Sequence, residues 1–193
     1  MRVIAGAAGG IRLAVPETDV RPTMDRVKAA IFSSLGDRIV NARVLDLFAG
    51  TGALGIEALS RGAASAVFVE ENRAAVLAIE QNFIRTKLRG RVRKQEVFAF
   101  LESIRVAERY DIIFADPPYE KTKSGGEFTR LLLDDHKLAA LLERDGVFVL
   151  EKRPEEKLVE PVLWKIIRAK RYGATEVLVL GHAAAGAEEP REE

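Results

Sequence analysis

Arg43-Val-Leu-Asp-Leu-Phe-Ala-Gly-Thr-Gly-Ala-Leu-Gly55 decides the fold. Arg43 to Phe48 reads as a buried strand, the first of the main sheet, and it runs straight into glycines 50, 52 and 55. Ile56, Leu59 and the neighbouring alanines predict a helix directly behind them. A strand, a glycine loop and a helix in that order imply an α/β chain with a mostly parallel sheet and a ligand at the strand ends. The glycine spacing fits a dinucleotide fingerprint, but Asp46 argues against a pyrophosphate. It lies four residues before the first glycine, where a carboxylate would repel phosphates and attract a cationic ligand.

Other strands end on polar residues in the same way. Ser65 to Val69 reads as the second strand, closed by Glu70, which is placed to accept from both hydroxyls of a ribose. Its bland alternative is a helix-start glutamate, since Glu71 and Asn72 follow. Ala74 to Phe83 predicts a helix with Ala75, Leu77, Ala78 and Ile79 inward, and Gln95 to Phe98 closes a third strand. In Tyr110-Asp-Ile-Ile-Phe-Ala-Asp-Pro-Pro-Tyr119 an apolar strand is stopped by Asp116-Pro117-Pro118-Tyr119. Neither proline can donate a ladder hydrogen bond, and Pro117 holds Asp116 extended. The loop therefore presents a carboxylate, backbone carbonyls and a ring at a strand's carboxyl end. An exocyclic nucleobase amine is a poor nucleophile because its lone pair is delocalised. The Asp116 carboxylate and the Pro117 carbonyl suit its N–H groups, and Tyr119 suits the base as a stacking partner. The bland alternative is a proline-stopped strand with a surface tyrosine.

Around this frame, Met1 to Val20 suggests a β-hairpin or paired edge strands, and Thr23 an N-cap with Asp25 in the first turn. Val27, Ala30, Ile31, Ser34 and Leu35 share one face of the helix that follows, ending at Gly36. Arg21, Thr23 and Arg26 cluster at its start, where spacing alone favours capping and solvated arginines. Arg85 to Lys94 carries six basic residues and no acid, equally a solvated helix end or a phosphate contact with RNA. Glu120 to Gly126 reads as a mobile loop, Phe128 to Leu142 as a helix with His136 on its surface, Gly146 to Glu151 as the fifth strand and Pro154 to Val159 as a short helix. Trp164 to Arg171 and Thr175 to Leu180 form a final antiparallel hairpin.

The 193 residues suit one domain, 1–182, with 1–42 as an N-terminal extension of hairpin and helix. Residues 183–193 carry a net charge of −3 and no core formers, and read as a disordered tail. The rest of the chain is then +4, which permits a nucleic-acid partner without requiring one. No cysteine and only two histidines leave no basis for a thiolate or histidine metal site, and no metal is expected. No apolar run has membrane-spanning length and no signal pattern opens the chain, so no membrane partner and a cytoplasmic location are expected.

Asp46 to Gly55 resembles the first cofactor motif of class I methyltransferases, and Asp116 to Tyr119 the Asp-Pro-Pro-Tyr motif of the amino-methyltransferases. Together with Arg2 to Gly6, Arg21-Pro-Thr-Met-Asp-Arg26, Glu57 to Gly62, Glu70 and Tyr172-Gly-Ala-Thr, they make the chain similar over residues 2 to 181 to the bacterial 16S rRNA guanine-N2 methyltransferases of the RsmD type. The resemblance implies a Rossmann-like fold of seven strands with the last antiparallel, a monomer, and S-adenosyl-L-methionine as cofactor. Asp46, Phe48, Ala49, Gly50, Gly52 and Glu70 would hold that cofactor, with Glu96 and Val97 on its adenine. It implies Asp116, Pro117 and Tyr119 as the catalytic loop, Arg21, Thr23, Arg26 and Pro118 on the substrate side, and a guanine of 16S rRNA in the small ribosomal subunit as substrate. Gly9 and Ile11 depart from the pattern, standing where the family has arginines. The competing expectations are adenine-N6 methylation of DNA, a dinucleotide-dependent oxidoreductase, and a non-enzymatic ribosome-assembly factor.

Overall fold

A computed structural model describes residues 1–15, 25–105, 107–118, 127–156, 158 and 160–183. The strands are β1 Arg43–Leu47, β2 Ser65–Glu70, β3 Arg91–Lys94, β4 Tyr110–Ala115, β5 Leu142–Lys152, β6 Trp164–Tyr172 and β7 Thr175–His182. They form one sheet in the order β3-β2-β1-β4-β5-β7-β6. Pairing is parallel from β3 through β5, and β7 runs antiparallel to both β5 and β6. This is the Rossmann-like α/β arrangement that the strand–glycine–helix reading implies.

The helices are α1 Asp25–Leu35, α2 Ala53–Ser60, α3 Arg73–Thr86, α4 Val97–Ser103, α5 Glu127–Asp134 and α6 His136–Leu141. Successive strand residues point to opposite faces, so each strand supplies two cores. Val44, Phe68, Ile112, Phe114, Val147 and Val149 pack with α1, α2 and α3 on one face. Leu45, Leu47, Val69, Ile113, Ala115, Phe148 and Leu150 pack with α4, α5 and α6 on the other. Burial on both faces explains why these strands read as unbroken apolar runs.

The N-terminal segment is pinned rather than folded as extended strands. The expected hairpin reduces to one antiparallel bridge, Arg2 to Arg12, and α2 holds the turn between them. Glu57 accepts from the backbone N–H groups of Ile4 (2.7 Å) and Ala5 (3.0 Å), and the Ser60 hydroxyl accepts from Ala8 (2.9 Å). A Cβ on Gly6 would lie 1.8 Å from the Ser60 carbonyl oxygen, so only glycine fits there. Lys28 of α1 is wholly buried, donates to the Arg2 carbonyl and lies 3.2 Å from Glu57. Burial lowers its pKa, and Glu57 works in the opposite direction.

Several expectations are corrected. The first helix buries Lys28 and Phe32 in addition to Val27, Ile31 and Leu35, while Ser34 is exposed and the chain tightens into a 3₁₀ turn at Gly36–Ile39. Leu77 of α3 faces solvent. The single helix expected over residues 128–142 is two, because Asp135 breaks it and caps α6 by accepting from the Leu138 N–H at 2.8 Å. Strand β5 begins at Leu142, four residues earlier than its apolar run suggests. Residues 154–156 form a turn rather than the start of a helix. The third strand stops at Lys94, and Val97 opens α4. The final hairpin turns at Gly173, whose φ of +63° suits a tight two-residue loop. The expected mobile loop at 120–126 lies outside the described residues, as does all of the expected tail except Ala183.

Candidate active site

Four neighbouring strands carry an acid within one residue of their carboxyl ends, and these acids share one face. Alternation along β1, β2, β4 and β5 carries Asp46, Glu70, Asp116 and Glu151 to the α1–α2–α3 side of the sheet. Asp46 is level with Phe68 and Phe114, and Phe114 with Val149. Glu70, Asp116 and Glu151 each follow one of those residues by two, so they form the next layer above Asp46. Asp116 and Glu151 lie one step beyond the paired Ala115 and Leu150, on strands about 4.8 Å apart.

Asp46 is buried, and its Oδ2 accepts from the Gly55 N–H at 2.8 Å. Burial pushes its pKa well above the ordinary carboxylate range. The Gly55 hydrogen bond opposes this, and the charges of Asp116 and Glu70 add to it. Gly55 is glycine for packing: a Cβ there would lie 2.3 Å from the Phe68 ring and 3.0 Å from Asp46. Glu70 takes two backbone donors, Gly50 N–H and Asn72 N–H, each at 2.8 Å. The cap of α3 is Asn72, whose side chain accepts from Ala74 and Ala75, and Glu70 in turn accepts from the N–H of that cap residue. Each carboxylate oxygen has a second lone pair, leaving Glu70 able to accept from a ribose hydroxyl.

The loop between β1 and α2 is shaped for close approach. Gly50 and Gly52 have φ of +55° and +75°, and Ala49 is tied to β2 by its N–H to the Val69 carbonyl at 3.0 Å. Phe48 also has a left-handed φ, +56°, which a bulky residue adopts only when its surroundings impose it. Its ring packs edge-on to Phe98 (6.4 Å) and Phe128 (5.7 Å), which stack on each other at 6.0 Å. Neither ring is marked as part of a site by the sequence alone, where Phe98 reads only as the close of a third strand and Phe128 as the start of a helix. Glu96 caps α4, accepting from Phe98 and Ala99 at 3.0 and 2.8 Å, and Val97 beside it is buried. The Glu96 carboxylate is thus engaged with the first turn of α4.

In the Asp-Pro-Pro loop Asp116 is half-buried, Pro117 buried and Pro118 exposed. Arg26 is exposed at the start of α1, while Arg21, Thr23 and Tyr119 lie outside the described residues. Sequence reasoning missed Glu151. It is buried, and its Oε1 finds no hydrogen-bond partner among the described residues. The signal was present, because Val147-Phe-Val-Leu-Glu151 is an apolar strand closed by an acid, as the other three are. Among the described residues no group of side chains could hold a metal ion, and no helix is long and apolar enough to cross a membrane.

The chain as a whole is similar to known proteins. The family described as conserved hypothetical protein 95 matches residues 1–181. The chain belongs to this family, the RsmD methyltransferases. The ribosomal RNA small subunit methyltransferase D of Escherichia coli K12 is 36% identical over 176 residues, covering 90% of this chain and 85% of that protein. YlbH of Bacillus subtilis is 38% identical over 184 residues, covering 93% and 97%. The solved structure of Escherichia coli yhhF superposes with a TM-score of 0.78 at 34% identity, covering 94% and 97%. This RsmD-family methyltransferase carries its acid layer at the carboxyl ends of β1, β2, β4 and β5.

Proposed function

We propose that this chain uses S-adenosyl-L-methionine to methylate the exocyclic N2 amine of a guanine in 16S rRNA of the small ribosomal subunit, in the cytoplasm. One observation carries the reading: Asp116 and the Pro117 carbonyl close β4 directly beside the β1 strand end that opens the glycine loop. The donor set fits the cofactor. Four acids on one face, Asp46 and Glu151 buried and Glu70 and Asp116 half-buried, disfavour a pyrophosphate and favour a ligand bearing an ammonium and a sulfonium. Asp46, Gly50, Gly52 and Glu70 would hold it, with Phe48, Ala49, Glu96 and Val97 around its adenosine. Bound there, it supplies an electrophilic methyl group on sulfur.

The chain's own residues do the rest. Asp116 and the Pro117 carbonyl accept from the amine, localising its lone pair and stabilising the positive charge that develops on nitrogen. Tyr119 supplies the stacking face for the extruded base, and Arg21, Thr23, Arg26 and Pro118 lie on the substrate side. The name of the Escherichia coli relative, a ribosomal RNA small subunit methyltransferase, supports the small subunit as target, and the guanine rests on the resemblance to the guanine-N2 methyltransferases. Exposed Arg85, Lys87, Arg89, Arg91, Arg93 and Lys94 line the β3 edge, and Arg89 and Arg91 join Arg43 and Arg109 around a cleft of about 530 Å³. Such a surface suits phosphate contacts with RNA.

The test uses labelled S-adenosylmethionine with small subunits from a strain lacking this activity, beside naked 16S rRNA and duplex DNA. N2-methylguanosine from the subunits or the rRNA is the expected product, and N6-methyladenine in DNA would replace the reading. Asp116→Ala is expected to keep cofactor affinity and lose about 10²–10³-fold in turnover. Near-normal turnover in that variant refutes the role given to the loop.

A further inference from the structure

We propose that the cleft at the amino ends of β1, β2, β3 and β4 grips the sugar–phosphate backbone of the RNA about one strand length away from the strand ends that receive its target base. The inference rests on the RNA substrate proposed above and gives that substrate a second point of contact.

The charge of the site creates the need. Asp46, Glu70, Asp116 and Glu151 stand together at the carboxyl ends of four strands. Each nucleotide of an RNA adds a negative phosphate, so this end of the sheet repels the backbone of the very substrate whose base it takes in. Attraction has to come from another part of the surface. Strand β2 runs six residues from Ser65 to Glu70, which puts its amino end about 17 Å from the acid layer. The cleft of about 530 Å³ lies at that amino end: Arg43, Ser65, Arg91 and Tyr110, the first residues of β1, β2, β3 and β4, all line it.

Four arginines, Arg43, Arg89, Arg91 and Arg109, share the cleft with one acid, Glu108, which lies 3.4 Å from the Tyr110 hydroxyl. Gly90 draws the turn before β3 tight against β2. A Cβ there would meet the Phe68 ring at 2.6 Å and the Ala66 carbonyl oxygen at 3.0 Å, so Arg89 and Arg91 flank the close approach at the rim. Arg43 is engaged with Asp111 and Glu143. Arg89, Arg91 and Arg109 are exposed, and their side chains form no hydrogen bond or ion pair among the described residues. The same holds for Arg93 and Lys94, and Lys94 is level with Glu70, so free cations climb the β3 edge from the cleft to the acid layer. The opposite edge, β6, is basic as well, but its cations are engaged. Arg168 donates to the Ser34 hydroxyl at 3.0 Å, Arg171 lies 3.8 Å from Glu155, and Lys170 sits over the Tyr172 ring. A phosphate at β6 displaces these partners, whereas one at the β3 edge displaces only water and counterions.

The test measures binding of a fluorescently labelled fragment of 16S rRNA across a salt series, with no methyl donor present. Two triple variants each lose three positive charges: Arg89→Gln, Arg91→Gln, Arg109→Gln in the cleft, and Lys165→Gln, Arg168→Gln, Lys170→Gln on β6. The cleft variant should lower the slope of log Kd against log salt by about 2–3 and weaken binding about 10²-fold at 0.1 M salt, with its thermal stability kept. The β6 variant should bind as wild type does. Equal losses in the two variants, or an unchanged slope in the cleft variant, overturn the proposal. A cleft variant that binds the RNA fragment normally but binds whole small subunits poorly assigns the cleft to a subunit protein and overturns it too. Protein that binds RNA through the cleft and methylates no substrate refutes the proposed function alone, and protein that methylates RNA with the slope unchanged in the cleft variant refutes the cleft alone.

Discussion

Replacing Glu57 with alanine should damage this protein more than replacing the lysine it pairs with. Glu57 is fully buried and serves four donors: Ile4 and Ala5 N–H, Arg61 Nε at 2.7 Å and Lys28 Nζ. Its loss leaves Lys28 buried against the Arg2 carbonyl alone and releases the N-terminal segment. Breaking a buried pair from one side costs about 3–5 kcal/mol. Lys28 can soften this by shedding its proton, since burial already lowers its pKa, which favours the lower part of that range. The two backbone N–H groups add little, because Ile4 and Ala5 are half-buried and water can reach them. A loss of about 3–4 kcal/mol corresponds to a Tm lower by about 6–16 °C for a chain of this size. Lys28→Met removes the charge but leaves Glu57 with three donors, one a guanidinium. Its loss should be under half as large, about 1–2 kcal/mol by the same comparison. Urea and thermal unfolding of both variants measure the difference, and limited proteolysis should cut the first residues of Glu57→Ala before the rest. A Lys28→Met variant as unstable as Glu57→Ala would refute the assignment of Glu57 as the hub.

Gly55→Ala should destabilise by about 1–3 kcal/mol, because its Cβ meets the Phe68 ring and the Asp46 carboxylate; denaturant titration checks it, and a neutral effect would show that β1 and α2 pack more loosely than described. Glu70→Ala should weaken S-adenosylmethionine about 10–100-fold by calorimetry, from the loss of charge-assisted hydrogen bonds and of the Gly50 anchor. Asp46 and Glu151 have folded-state pKa values raised above those of the unfolded chain. The stability they confer is therefore complete below the ordinary carboxylate range and is lost as the pH rises through the raised values. Unfolding free energy of the ligand-free protein should decline less steeply toward neutral pH in Glu151→Gln than in wild type; equal slopes would show that Glu151 is ionised throughout.

The sheet could be read from the chain because its information is local. Four apolar runs each close on an acid, and strands buried on both faces leave that pattern whatever packs against them. The candidate site's carboxylates were marked by equally local signals, Asp46 and Glu70 by their spacing from Gly50, and Asp116 by the prolines. Lys28 was not legible. Helical periodicity predicts it beside the apolar stripe, in solvent, and only a glutamate on α2, far along the chain, makes its burial tolerable. The break at Asp135 was hidden differently. Apolar spacing runs on across it, and the cap is a competing local signal that wins because it satisfies a free N–H of α6. Glu151 was passed over because charged Lys152 and Arg153, with no proline or glycine directly behind it, follow its strand end.

The acid layer also bears on what the site can release. At one strand spacing, two ionised carboxylates repel by about 3 kcal/mol at an effective dielectric constant of 20. Burial first, and then the charges of Asp116 and Glu70 on Asp46 and of Asp116 and Asp46 on Glu151, raise the pKa values of Asp46 and Glu151, so negative charge is disfavoured at both in the ligand-free site. A ligand with two positive charges relieves that repulsion more than one with a single charge. On the proposed reaction the donor enters with both and leaves with the sulfonium neutralised, so the same carboxylates that favour the substrate form hold the product less well. The strand order places this layer at β1 and β4, from which the sheet continues outward in opposite directions. That is the position where open α/β sheets bind ligands. An exclusion of phosphates, a preference for a cationic donor and weaker retention of its neutral-sulfur product thus follow from one placement of charge.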